Sequence, residues 1–237
     1  MKRRSALKKA VLGATGLATL GTAACTTASN KEKTQEINKQ PQIMKSLKKY
    51  TNDDFYVNGE LSAEKTLKAY KEMFEHYNYP MDKFLAENMF ISDFSQGDFA
   101  NCGMAGVFWH NSAEYGYFAH EIFLLPGQMI AEHKHVETKY PAKMETWHVR
   151  HGSIYCFGEG NETANNPATP ESQKPYINVN NALEVKRGEM NTLNRPEAPH
   201  FMLAGDQGAI VSEYANYHDN DGLVFTNDKI VFNNVLG

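Results

Sequence analysis

The chain has 237 residues, 41% hydrophobic, 11% aromatic and 22% charged, which suits one globular domain with an extension and excludes disorder throughout. A formal net charge of -4 gives no basic footprint for nucleic acid, and three cysteines without a CxxC pair exclude a disulfide scaffold. A collagen-like fibre and a knottin are excluded by the same composition.

Residues 1–25 stand apart. They begin with a basic stretch, Lys2-Arg3-Arg4 through Lys8-Lys9, and continue as a short apolar run of small residues from Ala10 to Ala24. A charged start before a short apolar core reads as an export signal, and the run is too short and too weakly apolar to span a membrane comfortably. Arg3-Arg4 followed by Leu7-Lys8 resembles the bacterial twin-arginine signal, with Ala6 where a bulkier residue is usual. Thr22-Ala23-Ala24-Cys25 is similar to a lipoprotein processing site, which makes Cys25 the candidate lipid-bearing residue. The expectation is an exported bacterial protein, periplasmic or anchored by lipid, with no other membrane contact. The signal carries five of the 24 basic residues and none of the 28 acidic ones, so the remainder is acidic, about -9.

Residues 26–42 are polar and contain Pro41; they read as a flexible tether. Residues 43–90 read as a helical segment. Ser62 can cap a helix on which Leu67, Tyr70, Phe74 and Tyr77 recur at helical spacing until Tyr79-Pro80, and a short second helix is expected over Met81–Glu87. This stripe is read as core packing, with a homodimer interface as an alternative use of the helices. From residue 91 the pattern becomes short apolar runs divided by Gly, Asn, Asp and Pro: Gly103–Trp109, Tyr117–Leu125, Glu145–His151, Ser153–Phe157, Ala182–Val185, Phe201–Leu203 and Ala209–Tyr214. The reading is mainly β, a barrel or sandwich over 91–237 preceded by helices, with a long loop from Gly158 to Pro175. Cys102 and Cys156 can pair or remain buried free thiols.

Three of the chain's nine histidines form a pattern with one glutamate. Gly127 is followed after five residues by His133-Lys-His135, then by Glu145, Gly152 and, later, Pro196-Glu-Ala-Pro-His200. Residues i and i+2 on a strand face the same way, so His133 and His135 present two imidazoles together. Glu145 and His200 can join them from other strands. Three neutral imidazoles and one carboxylate make a site for Mn, Zn, Co, Fe or Ni with positions left open for water or substrate.

The series resembles the cupin fold, a double-stranded β-helix or jelly-roll barrel. The spacings from Gly127 to His133 and from Glu145 to Gly152 fit its first motif. The gap of nine residues between His135 and Glu145 is longer than usual, and Ala198 stands where the second motif has Gly. Ser92-Asp-Phe-Ser-Gln-Gly-Asp-Phe99 with Gly103-Met104, Lys143-Met-Glu145 and Ser212-Glu213-Tyr214 are similar to segments of the bacterial D-lyxose isomerases, a likeness that covers about 45–230.

The resemblance implies an aldose–ketose isomerase acting on a free sugar such as D-lyxose or D-mannose. It implies one divalent metal, manganese first, on His133, His135, Glu145 and His200, with Glu213 as the active-site carboxylate. His120 stands where the family carries a Lys and is a second catalytic candidate; unlike Lys it is not a permanent cation. Lys143, Trp147, Asp219 and Asp221 are candidate substrate contacts. Trp109 is a weaker one, and His76, His110, His148, His151 and His218 are given no role. A cupin dioxygenase and a sugar-binding cupin without turnover use the same ligand set and stay open at this point.

Overall fold

A computed structural model describes residues 46–237. The export signal, Cys25 and the tether lie outside the described residues. The described residues form one compact unit. It opens with a small hairpin, β1 (Tyr56–Val57) and β2 (Glu60–Leu61), followed by α1 (Ala63–Tyr77) and α2 (Lys83–Asn88). The Ser62 hydroxyl accepts from the Lys65 amide at the start of α1, and Asn78, with φ of 51°, closes it in the left-handed region, one residue before the expected Tyr79-Pro80 stop. The expected stripe is core: Tyr70 and Phe74 are buried against Phe123 and Ile210 of the sheet, so the helices share the barrel's outer core.

The barrel strands are β3 (Phe90–Ser92), β4 (Met104–Ser112), β5 (Tyr117–Leu124), β6 (Met129–His135), β7 (Glu145–Gly158), β8 (Asn181–Lys186), β9 (Met190–Thr192), β10 (His200–Ala215) and β11 (Leu223–Phe225). All pair antiparallel within one curled sheet, as expected for the double-stranded β-helix. The difference from the sequence reading lies in β7 and β10, each of which joins two expected strands into one long bent strand. β10 pairs with β7 along both halves, while its first half also pairs with β6 and its second with β5. The bend falls where the ladder shifts register between Ala204 and Ala209, opposite Gly152.

Two glycines permit this crossing. Gly152 has φ of 70°, and a Cβ there would lie 1.9 Å from the carbonyl oxygen of Gly208, itself at φ of 69°. Cys102 and Cys156 are buried free thiols; burial pushes the Cys156 thiol up to about 12, so neither offers a reactive thiolate at neutral pH.

Gly152→Ala should therefore lower the urea midpoint by the equivalent of at least about 3 kcal/mol, because both backbone strain and a main-chain clash are introduced. An unchanged midpoint would show that the Gly208 carbonyl moves aside freely.

Candidate metal centre and active site

Strand register assembles the site. His133 on β6 lies directly opposite His200 on β10, and Glu213 on β10 lies between His120 on β5 and Trp147 on β7. Directly paired residues on one sheet face sit side by side, so these side chains converge inside the barrel. The cavity they line has a volume of about 550 Å³, in the range of small-molecule sites.

His133, His135, Glu145 and His200 each offer one ligand atom, and the four atoms lie within 4.8 Å of one another. His135 Nε2 is 3.1 Å from Glu145 Oε1, and His200 Nε2 is 2.9 Å from Oε2 of the same carboxylate. The Nδ1 atoms of His133 and His200 lie 2.8 Å from the carbonyl oxygens of Ala131 and Ala198. Such a bond places the proton on Nδ1 and turns the Nε2 lone pair inward, the usual support of a metal-ligating histidine. Despite their short separations, His135 Nε2, His200 Nε2 and Glu145 Oε2 are buried without a well-directed hydrogen bond. Burial, followed by the neighbouring His200 and His135, holds the His133 imidazole well below its ordinary value, in the neutral form a metal requires.

A chain of charges runs on from this cluster. The Lys143 ammonium, fully buried, donates to Glu145 Oε1 at 2.7 Å and to Glu213 Oε1. Glu213 Oε2 lies 3.2 Å from His120 Nδ1. Burial, the largest single influence, would raise both carboxylates, but the Lys143 charge together with His135 and His200 at Glu145, and with His120 at Glu213, holds Glu145 well below, and Glu213 below, the usual carboxylate range. Burial would likewise lower Lys143, and Glu145 and Glu213 together reverse that. Burial pulls His120 down despite Glu213, leaving it a neutral imidazole that lines the cavity, with its Nε2 buried and unpartnered over Gly106. Two carboxylates against one ammonium leave one uncompensated negative charge in a buried site. Burial would lower His200, yet Glu145 holds it above its ordinary value, a sign of that excess. The donor set, the unpartnered ligand atoms and the surplus charge all fit a divalent cation.

No protein-family model matches the chain. Among curated proteins it is 35% identical over 146 residues to a D-lyxose/D-mannose isomerase of Thermosediminibacter oceani, covering 61% of this chain and 79% of that one. It is 30% identical to a D-lyxose ketol-isomerase of Cohnella laeviribosi, over 67% of this chain and 87% of the relative. The chain belongs to the D-lyxose isomerase family. As a member it is an aldose–ketose isomerase. Among solved structures the isomerase is similar in fold to L-ribose isomerases of Acinetobacter sp. DL28 (TM-score 0.54, 12% identity, 70% of this chain and 92% of that one) and Cellulomonas parahominis (TM-score 0.53, 14% identity, 69% and 90%).

The structure brings together seven of the ten expected site residues closest to the chemistry: the four metal ligands, Glu213, His120 and Lys143. Trp147 joins them in the cavity lining, its ring 5.3 Å from that of His200. Asp219 and Asp221 are not brought there. Asp219 accepts from the Thr138 hydroxyl at 2.5 Å and from the Asp221 amide at 3.3 Å, shaping a single turn at Asn220–Gly222. Trp109 stacks on Phe84 outside the cavity and donates to Glu121. His218, given no role by sequence, is a cavity residue: its ring stacks on Phe118 and lies 6.0 Å from His135, and burial, then Lys143, pushes its imidazole down to about 4. No local motif marks it, because the Asn111 side chain from β4 clasps its backbone N–H and carbonyl from across the barrel.

A divalent metal ion titrated into metal-free isomerase should bind at one ion per chain and raise Tm, with a gain of about 2.7 kcal/mol at a hundredfold excess over Kd. His200→Ala and Glu145→Gln should lose both the ion, by mass spectrometric metal analysis, and the thermal gain. A full complement of metal in either variant would contradict the assignment.

Proposed function

We propose that the isomerase is metal-dependent, with manganese at His133, His135, Glu145 and His200, and interconverts free aldoses of the D-lyxose and D-mannose type with D-xylulose and D-fructose. The observation that carries this reading is Glu213, an ionised carboxylate held by Lys143 and His120 in the same cavity as the metal ligands. The family relationship supports the substrates, since relatives carry those sugars in their names.

A divalent metal held by His133, His135, Glu145 and His200 would supply Lewis-acid polarisation of the sugar carbonyl. The protein's own groups do the rest. Glu213 takes the C2 proton and returns it to C1, so the carboxylate ends as it began. Lys143 keeps Glu213 ionised and fixes one of its oxygens, leaving the other oriented by His120. With the His120 Nδ1 proton directed at Glu213, its Nε2 accepts a hydrogen bond from a sugar hydroxyl and passes protons between oxygens. His218 and Asn220 meet the middle hydroxyls. The dioxygenase and binding-only readings share the metal ligands, but neither needs a carboxylate held ionised beside the carbonyl.

With metal present, an aldose panel including D-lyxose and D-mannose should yield ketose, and chelation should abolish it. Glu213→Gln should lower kcat by about 10³-fold while keeping its metal, as expected for loss of a proton-transferring group. Oxygen uptake without ketose, or sugar binding without turnover, would overturn the reading.

A further inference from the structure

Beyond its reacting groups, the cavity is apolar along one continuous side. Phe225 on β11 pairs directly with the metal ligand His133, their rings 5.6 Å apart. Phe94 follows at 5.7 Å from Phe225, Phe232 at 6.4 Å from Phe94, and Phe90 at 5.4 Å from Phe232. Phe90 then stacks 5.8 Å from His120, the partner of Glu213. This arc of four phenyl rings, backed by Ile230, runs from the metal ligands to the proton-transfer carboxylate with no polar side chain in it.

The arc is built rather than incidental. The segment after β11 returns across the barrel mouth to supply Ile230 and Phe232. It is tied down by the Val231 amide to the Phe94 carbonyl (3.2 Å), the Val235 amide to the Ile91 carbonyl (2.9 Å) and the Ser92 hydroxyl to Asn233 (2.7 Å). Phe94 itself sits at φ of 55°, a costly conformation for a residue with a Cβ.

We infer that the substrate is a terminally deoxygenated aldose, with a methyl group where D-lyxose or D-mannose has a hydroxymethyl group. This rests on the isomerase reading and narrows its substrate. The polar side chains outside the reacting cluster and Trp147 are His218 and Asn220, bonded to each other at 3.0 Å on the side of the cavity that holds Phe118. They serve the middle hydroxyls of a bound sugar and, among the described residues, leave none for its far end. A terminal hydroxyl against the arc gives up its water without a new partner, whereas a methyl there is removed from water with gain. Successive rings from His133 to Phe90 are tilted by 52°, 56°, 58° and 68°. Rings so tilted offer edges and faces suited to a methyl group, not a flat platform for the C–H face of a hydroxylated ring.

Matched pairs that differ by one oxygen test this: D-mannose against 6-deoxy-D-mannose, and D-lyxose against 5-deoxy-D-lyxose, on the manganese-loaded protein. The deoxy sugar should be favoured in kcat/KM by about 10- to 100-fold, the range an apolar pocket can impose against one hydroxyl. It should also protect the protein better in a thermal shift at equal concentration. Phe232→Asn, at a half-exposed position, should bring the ratio toward one; Ile230→Asn gives a second reading if that variant fails to fold. Equal or better use of both parent sugars overturns this inference and leaves the isomerase reading standing. Absence of ketose from all four sugars with metal bound overturns both.

Discussion

Two buried carboxylates share one ammonium at the centre of this protein. Lys143 touches Glu145, which faces the imidazoles of His135 and His200, and also Glu213, which faces His120. Burial pushes both carboxylates toward their protonated forms, and in the absence of a bound cation Lys143 is the largest influence against it, while a lone buried Lys143 would lose its proton. One residue thus sets the protonation of both a metal ligand and the group placed to move a proton. It also leaves the net negative charge that calls for a divalent cation.

The barrel exists to hold that chain of charges. Lys143 enters from the loop just before β7, Glu145 from the first residue of β7, Glu213 from the second half of β10 and His200 from its first half. Only a strand bent at the Gly152–Gly208 crossing can present His200 to β6 and Glu213 to β5 at once. The helices lie on the opposite face, where Tyr70 donates to Gln128 at 2.8 Å and secures the turn that leads into the histidine strand. Behind that strand, Glu132 accepts from Asn178, Val179 and Thr226, pinning two loops to the segment that carries His133.

Much of this was legible in the sequence for physical reasons. The i, i+2 spacing of His133 and His135 needs only strand geometry, and Ser62 with its aromatic stripe needs only helix geometry. The family likeness supplied Glu213, which periodicity alone would not have joined to the histidines. The bent strands were read as separate pieces because Gly152 and the Gly205–Gly208 stretch look like turns. Asp219 and Asp221 were misplaced because an acidic segment does not reveal which side chains cap a turn and which face a cavity. His218 and the phenylalanine arc were invisible for a related reason: both depend on chain segments crossing the barrel mouth, and no local spacing records that crossing.

The central claim is that Lys143 couples the metal site to the proton-transferring carboxylate, and Lys143→Met tests it most directly, by metal content and steady-state kinetics on the same preparation. The account predicts a variant that still binds one metal ion per chain through its intact ligands but loses about 10²-fold or more in kcat, with KM little changed. A variant with full metal and near-normal kcat would contradict it.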